Sequence, residues 1–243
     1  MSSPSTADAA DREGYSRLLS LAVHEFRTPA SVVGGYLRLL LREGGEPLTE
    51  QQRKMIHEAE KGCGRIVALI AELSDISKLD SGLIALAREP LDLFTLIGDL
   101  AEHVHEARDR EVCLEIRGDT AGAPVLGDAT RLRAAFEAVF RAILREKIGP
   151  CTVIADRRRV TCDGQAAAVL VVAEERDVQI VYDSTPAAFD EKRGGLGLTL
   201  PLARRVIEGH GGRLWSPAAR PDEEDARARG SAVISLPIME SKR

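Results

Sequence analysis

The sequence predicts an antiparallel helical hairpin that pairs with a second copy into a dimeric four-helix bundle, followed by an α/β sandwich. Three observations carry this prediction. Apolar residues recur at alternating spacings of three and four over 19–40 and again over 56–73, the signature of helices packed on helices. Gly44-Gly45 and Pro47 separate the two runs, a glycine stop followed by a residue that cannot continue a helix. Beyond Pro90 short apolar runs alternate with helical patterns, which makes a mixed sheet with helices laid on it.

At 243 residues the chain has room for two modest domains, each with enough apolar content for a core. The expected partition is a disordered leader over 1–12, rich in Ser, Ala and Asp, a helical hairpin over 13–80, a hinge over 81–91 and an α/β domain over 92–243. These first residues are expected to form such a leader rather than a domain of their own.

The first helix is expected from about Asp11 to Arg42. Its seam runs through Leu19, Val23, Phe26 and Ala30 to Val33, Leu37 and Leu40. Thr49 is a suitable N-cap for the second helix, whose seam is Ile56, Ala59, Cys63, Ile66, Ile70 and Leu73. Two such helices cannot bury both faces alone, and a homodimer completes the bundle.

The remaining elements follow the same reading. Helices are expected over 92–108, 128–146 and 198–208. Strands are expected over 111–117, 151–160, 167–173, 178–182, 213–216 and 231–237.

Composition narrows the function classes. The net charge is −5 with signs interspersed, and no basic stripe with interleaved aromatics is present, so nucleic acid is excluded as a main partner. The basic run Arg157-Arg158-Arg159 is expected to be a solvated hairpin turn. Cys63, Cys113, Cys151 and Cys162 are scattered with no CxxC pair, which fits reduced thiols in a cytoplasmic protein and offers no zinc site. His103 and His105 point in different directions on a helix, so no metal site is expected there either. No stretch approaches the ~20 apolar residues of a membrane span.

One local constellation carries chemistry: His24-Glu25-Phe26-Arg27-Thr28-Pro29, inside the first helix. His24 stands one residue off the apolar seam, at the flank of the bundle where another protein can reach its ring. A neutral imidazole is a nucleophile near neutral pH, and the attacking nitrogen strengthens when the other gives its proton to a carboxylate, which Glu25 supplies. Thr28 lies one turn on, its Cβ roughly 5–6 Å from that of His24, with a hydroxyl able to orient a water or a phosphoryl oxygen. Pro29 lacks an amide hydrogen and crowds the carbonyl of Glu25, so a kink is expected below this face. The group reads as an imidazole that accepts a phosphoryl group.

These residues resemble the phosphoacceptor box of the sensor histidine kinases of two-component signalling, His-Glu-x-x-Thr-Pro in the first helix of a dimerisation and phosphotransfer domain. The resemblance implies that His24 is phosphorylated, that Glu25 acts as the base, and that Thr28 helps hydrolyse the phospho-aspartate of a response-regulator receiver domain. The order of elements beyond the hinge resembles the Bergerat-type ATPase domain of the same kinases, which implies ATP with Mg²⁺. Gly194-Gly195-Leu196-Gly197-Leu198, opening a helix, is similar to the family's second glycine box, with Gly195 and Gly197 placed to approach phosphate. Arg145 retains a basic residue that reaches phosphate. His210 reads as a helix-end residue.

The other boxes depart from the family. Aligning Asp128, Arg131 and Leu132 with the start of the Mg²⁺-binding helix puts Ala142 where an Asn holds the metal, and Ala138 where a second Asn is common. Glu137 and Glu146 are carboxylates on that helix but off the matching position. The first glycine box has two registers. One begins at Asp183 and keeps an adenine-reading carboxylate. The other spans Ala173–Asp177, fits the strand spacing better and loses it. Both shorten the lid that closes over ATP. Three readings stay open from sequence: phosphotransfer at His24 with doubtful autokinase activity, an active kinase with a divergent nucleotide site, and a non-catalytic module that binds a regulator.

Overall fold

The computed structural model describes residues 6–42, 48–162, 164–218 and 226–239. The chain divides into two compact units, the first ending at Ala85 and the second beginning at Leu86.

The first unit is the hairpin of α1 (Thr6–Arg42) and α2 (Glu50–Asp80), which pack against each other. The helix starts at Thr6 and not near Asp11, so residues 6–12, expected as leader, are helical. Their alanines, at positions 7, 9 and 10, have high helix propensity. Residues 1–5 of the expected leader, and the expected stop at Gly44-Gly45 and Pro47, lie outside the described residues. The helix α1 is continuous through Pro29. Thr49 caps α2 with a reciprocal box, its hydroxyl accepting from the Gln52 amide at 3.2 Å while the Gln52 side chain accepts from the Thr49 amide at 2.9 Å.

The single seam expected on α1 splits into two faces. Val23 and Gly34 are buried, and Ala30, Leu37 and Leu41 half-buried. Phe26, Val33 and Leu40, taken from the same seam, stand exposed with Tyr36 and Val32. Ile66 of α2 is likewise exposed, while Cys63 and Ile70 are buried. Positions 23, 30 and 37 form one row and positions 26, 33 and 40 another, about 60° apart around a helix of 3.6 residues per turn, so one apolar list serves two neighbouring faces.

One contact between the two helices runs through a glycine. A Cβ at Gly34 would stand 3.2 Å from Sγ of Cys63, and that thiol donates to the carbonyl of Ala30 at 3.0 Å.

The second unit is built on a six-stranded mixed sheet. Its strands are β2 (Val112–Gly118), β4 (Cys151–Cys162), β5 (Gln165–Glu174), β6 (Pro186–Ala188), β7 (Arg213–Pro217) and β8 (Ala232–Pro237), in the order β2-β4-β5-β8-β7-β6. Strands β2 and β4 are parallel, and every other pairing is antiparallel. Strands β1 (Glu89–Asp92) and β3 (Pro124–Gly127) form a separate antiparallel pair inside and beyond the expected hinge.

The helices are α3 (Leu93–His103), α4 (Ala129–Arg145), α5 (Val178–Asp183), α6 (Thr199–Gly209) and the single turn α7 (Ala226–Arg229). Asp92 caps α3 by accepting from the Thr95 amide, and Asp128 caps α4 by accepting from the Arg131 amide. Helix α3 ends at His103, short of the expected residue 108, because Val104 turns to extended backbone. On α4 the residues Leu132, Phe136, Val139, Phe140 and Ile143 form a fully buried stripe, and this helix packs on α6.

Strand β5 is buried on both faces. Val169, Val171 and Ala173 cluster with Val181 and Val178 of α5 and with Trp215, while Ala168, Leu170 and Val172 point the other way by strand alternation. The segment 178–182, expected as a strand, is helical because Val178 and Val181 lie three apart and cover that second sheet face together. The run Arg157–Arg159, expected as a turn, lies within β4. Arg158 stacks on Tyr182 at 4.0 Å and donates to Asp156 at 2.6 Å, and Arg157 donates to the carbonyl of Phe94 at 3.2 Å. Between β4 and β5, Gly164 takes φ 79°.

Candidate functional site: an exposed imidazole and a tethered glycine loop

His24 sits on α1 beside the buried Val23, and its side chain is 80% exposed. Its Nδ1 lies 3.4 Å from Oε1 of Glu25, whose side chain is also exposed. A carboxylate at Nδ1 selects the tautomer with the proton there and leaves the Nε2 lone pair facing solvent. Thr28 is exposed one turn further, and Phe26 adds an exposed ring between them. The seam offset thus places the imidazole at the flank of the hairpin, beside an apolar face.

The glycine segment of the second unit is a run of three left-handed backbones, Gly194 and Gly195 at φ 59° and Gly197 at φ 69°, leading into α6. It is tethered on two sides. On one side Arg193 is buried, donates to the carbonyls of Arg229 and Ser231 at 2.8 Å and to Oγ of Ser216 at 2.6 Å, and stacks on Phe189 at 4.3 Å. On the other side the Gly194 amide donates to Oε1 of Glu146 at 3.1 Å, and Arg145 donates from Nη1 to the Gly194 carbonyl at 3.1 Å. Arg145 also donates from Nε to Glu106 at 2.7 Å.

Arg145 and Gly194 therefore meet. Ala142 lies fully buried beneath the loop, and a Cβ at Gly194 would come 3.0 Å from its Cα. Ala138 is buried as well. Gly195 faces open space. Among the described residues no group of three or more His, Cys, Asp or Glu is arranged to hold a metal ion.

Asp183 stands at the last turn of α5, exposed, with its carboxylate accepting from Nε2 of Gln179 at 2.7 Å. Strand β5 ends at Glu174, so the position following a sheet strand belongs to the register Ala173–Asp177 and not to the one beginning at Asp183. Sequence reasoning missed Arg193 and Glu106 as members of this region. It noted Glu146 only as a carboxylate off the metal position.

His210 is a helix-end residue, the C-cap of α6, and it is buried. Its Nδ1 donates to the carbonyl of Val206 at 2.7 Å and its Nε2 accepts from the amide of Asp128 at 2.9 Å. Burial pushes its pKa down, with the Arg88 charge acting the same way, against the Val206 hydrogen bond and Asp128.

Residues 15–82 match the family model of the His Kinase A (phospho-acceptor) domain. The chain's relatives are histidine kinases of two-component signal transduction. It is 27% identical over 211 residues to the signal transduction histidine-protein kinase BarA of Escherichia coli, covering 82% of this chain and 22% of that protein. It is 28% identical over 243 residues to the sensor protein GacS of Pseudomonas syringae, covering 87% of this chain and 26% of that protein. The chain thus spans about a quarter of the length of these curated relatives.

Two solved structures share the fold. Full-length ShkA in complex with AMPPNP matches 93% of this chain and 46% of that one, with TM-score 0.65 at 19% identity. The histidine kinase ThkA in complex with the response regulator protein TrrA matches 93% and 63%, with TM-score 0.55 at 17% identity. Among the described residues no helix is long and apolar enough to cross a membrane.

Proposed function

We propose that this chain is a homodimeric, cytoplasmic two-component signalling protein in which His24 exchanges a phosphoryl group with the aspartate of a response-regulator receiver domain. The observation that carries the reading is the exposed His24 ring with the Glu25 carboxylate at Nδ1. In the transfer, the Nε2 lone pair attacks the phosphorus of the regulator's aspartyl phosphate. The N–P bond forms as the P–O bond to the aspartate breaks, and the electron pair leaves with the aspartate carboxylate. The Nδ1–H keeps its proton, and Glu25 offsets the positive charge that develops on the ring. The reverse step phosphorylates the regulator. Thr28, one turn along, is assigned to orienting the water that hydrolyses the phospho-aspartate.

Autokinase activity with ATP and Mg²⁺ is impaired in this reading. Its support is the pair of alanines, Ala138 and Ala142, at the positions where the resembled family carries asparagine. The exposed apolar face with Phe26, Val33 and Leu40 supports the homodimer. The free thiols of Cys63, Cys113 and Cys151 fit a reducing compartment. The ThkA complex, which contains a response regulator, supports the partner class by fold alone.

The test is transfer from a radiolabelled, phosphorylated receiver domain, beside incubation with labelled ATP and Mg²⁺. The expected result is label on the wild-type chain from the phosphorylated receiver, none on His24→Ala, and little from ATP. Strong labelling of His24 by ATP selects an active kinase instead. Binding of the receiver without any labelling selects a non-catalytic module.

A further inference from the structure

The residues around the glycine segment do not fit ATP with Mg²⁺ held as the family resemblance implies. The methyl of Ala142 offers no ligand, and the residue is fully buried with its Cα close to Gly194. The guanidinium of Arg145 is engaged by Glu106 and by the Gly194 carbonyl.

We infer that Glu146 is the resident anion of the glycine loop: its carboxylate holds the Gly194 amide where a bound phosphate oxygen would be held, and with Arg145 it latches the loop onto the end of α4. Backbone amides of a glycine loop at a helix start form a ready site for an anion. Here the Gly194 amide already has one, at 3.1 Å from a residue that ends the helix beneath it. Arg145, adjacent in sequence, closes on the carbonyl of the same glycine, so both polar groups of Gly194 are taken by one helix end. The buried anchor of Arg193 fixes the chain immediately before it and removes the freedom to swing the loop out as a unit. The unit therefore keeps this loop in place without nucleotide. The inference goes beyond phosphotransfer at His24, and the transfer assay can fail while it stands.

Amide hydrogen exchange at Gly194 in the full chain tests it. In the wild type, protection of this amide is expected to be unchanged by ATP with Mg²⁺ or by pyrophosphate. In Glu146→Ala exchange is expected to quicken about tenfold or more, since a charge-assisted hydrogen bond is lost. Pyrophosphate is then expected to restore protection in the variant by filling the vacated amide. Glu146→Gln, which keeps an acceptor without the charge, is expected to fall between the two. A wild-type amide whose protection rises with ATP and Mg²⁺ overturns the inference. So does a Glu146→Ala variant with unchanged exchange, and so does failure of pyrophosphate to protect it, which reduces Glu146 to an ordinary helix-end contact.

Discussion

The imidazole of His210 accepts a hydrogen bond from the backbone amide of Asp128 at 2.9 Å, tying the end of α6 to the cap of α4. Because its other nitrogen donates to the Val206 carbonyl at 2.7 Å, only the neutral ring serves both partners. A proton added at Nε2 would face the Asp128 N–H, with the Arg88 guanidinium nearby, its Nη2 2.6 Å from the carbonyl of Gly209.

Stability of the second unit is accordingly expected to depend on pH. Burial lowers the folded-state pKa of His210 below the ordinary value of about 6.5. Between those two values the unfolded chain binds more protons than the folded one, so stability falls as pH drops through that window and is flat with respect to this group above it. His210→Phe is expected to remove this pH dependence while costing ~1–3 kcal/mol at neutral pH, because the Asp128 amide loses its acceptor. Urea denaturation of both proteins across the acidic to neutral range reads the two effects, and an unchanged slope in the variant would assign the titration to another group.

The contact between Gly34 and Cys63 sets the spacing of the hairpin. With a new Cβ 3.2 Å from the thiol, Gly34→Val is expected to push the helices apart and cost ~1–3 kcal/mol by overpacking. Cys63→Ala should relieve part of that, so the double variant is expected to be more stable than the sum of the two single effects predicts. Denaturant melts of the four proteins complete the cycle, and strict additivity would show that the two residues do not share the strain.

Much of this architecture is legible in the sequence because it is repetitive or punctuated. The hairpin follows from apolar periodicity and the Thr49 cap, and the exposed position of His24 from its one-residue offset from the seam. The misread elements have a common origin in tertiary packing. Val178, Ile180 and Tyr182 alternate as a strand would, but the burial of Val181 against the second face of β5 decides for helix. Arg157–Arg159 looks solvated until the fold brings Phe94 of α3, Asp156 of β4 and Tyr182 of α5 beside it. The tether of the glycine loop joins residues far apart along the chain, Glu106 to Arg145 over 39 positions and Glu146 to Gly194 over 48. No local pattern carries such a pairing.

Placing asparagine at Ala142 is expected to damage the fold and to add no labelling by ATP. The site is fully buried with its backbone close to Gly194, so the larger amide must displace packed neighbours and loses its water. Overpacking costs ~1–3 kcal/mol, and an amide without partners adds to it. At about 2–4 °C per kcal/mol for a chain of this size, a clear drop in melting temperature is expected. Labelling of the Ala142→Asn chain by ATP and Mg²⁺ is expected to stay at the wild-type level. A gain in labelling would mean that the loop yields and that the missing side chain alone limits the chemistry.

The apolar face of α1 gives the last prediction. Val33 and Leu40 are 52% exposed in the single hairpin, with Phe26 and Tyr36 more exposed still, a patch that a second copy would cover. In a two-fold bundle each substitution is present twice at one interface, so a single carboxylate there is desolvated in duplicate and repelled by its copy. Leu40→Glu is therefore expected to shift the chain from dimer to monomer in sedimentation velocity, with far-ultraviolet circular dichroism retained because Leu40 is exposed in the single hairpin. A single-helix surface change such as Lys61→Gln, which removes only an exposed pair with Glu58, is expected to leave the dimer intact. A Leu40→Glu chain that stays dimeric at the same concentrations would place the subunit contact on another surface.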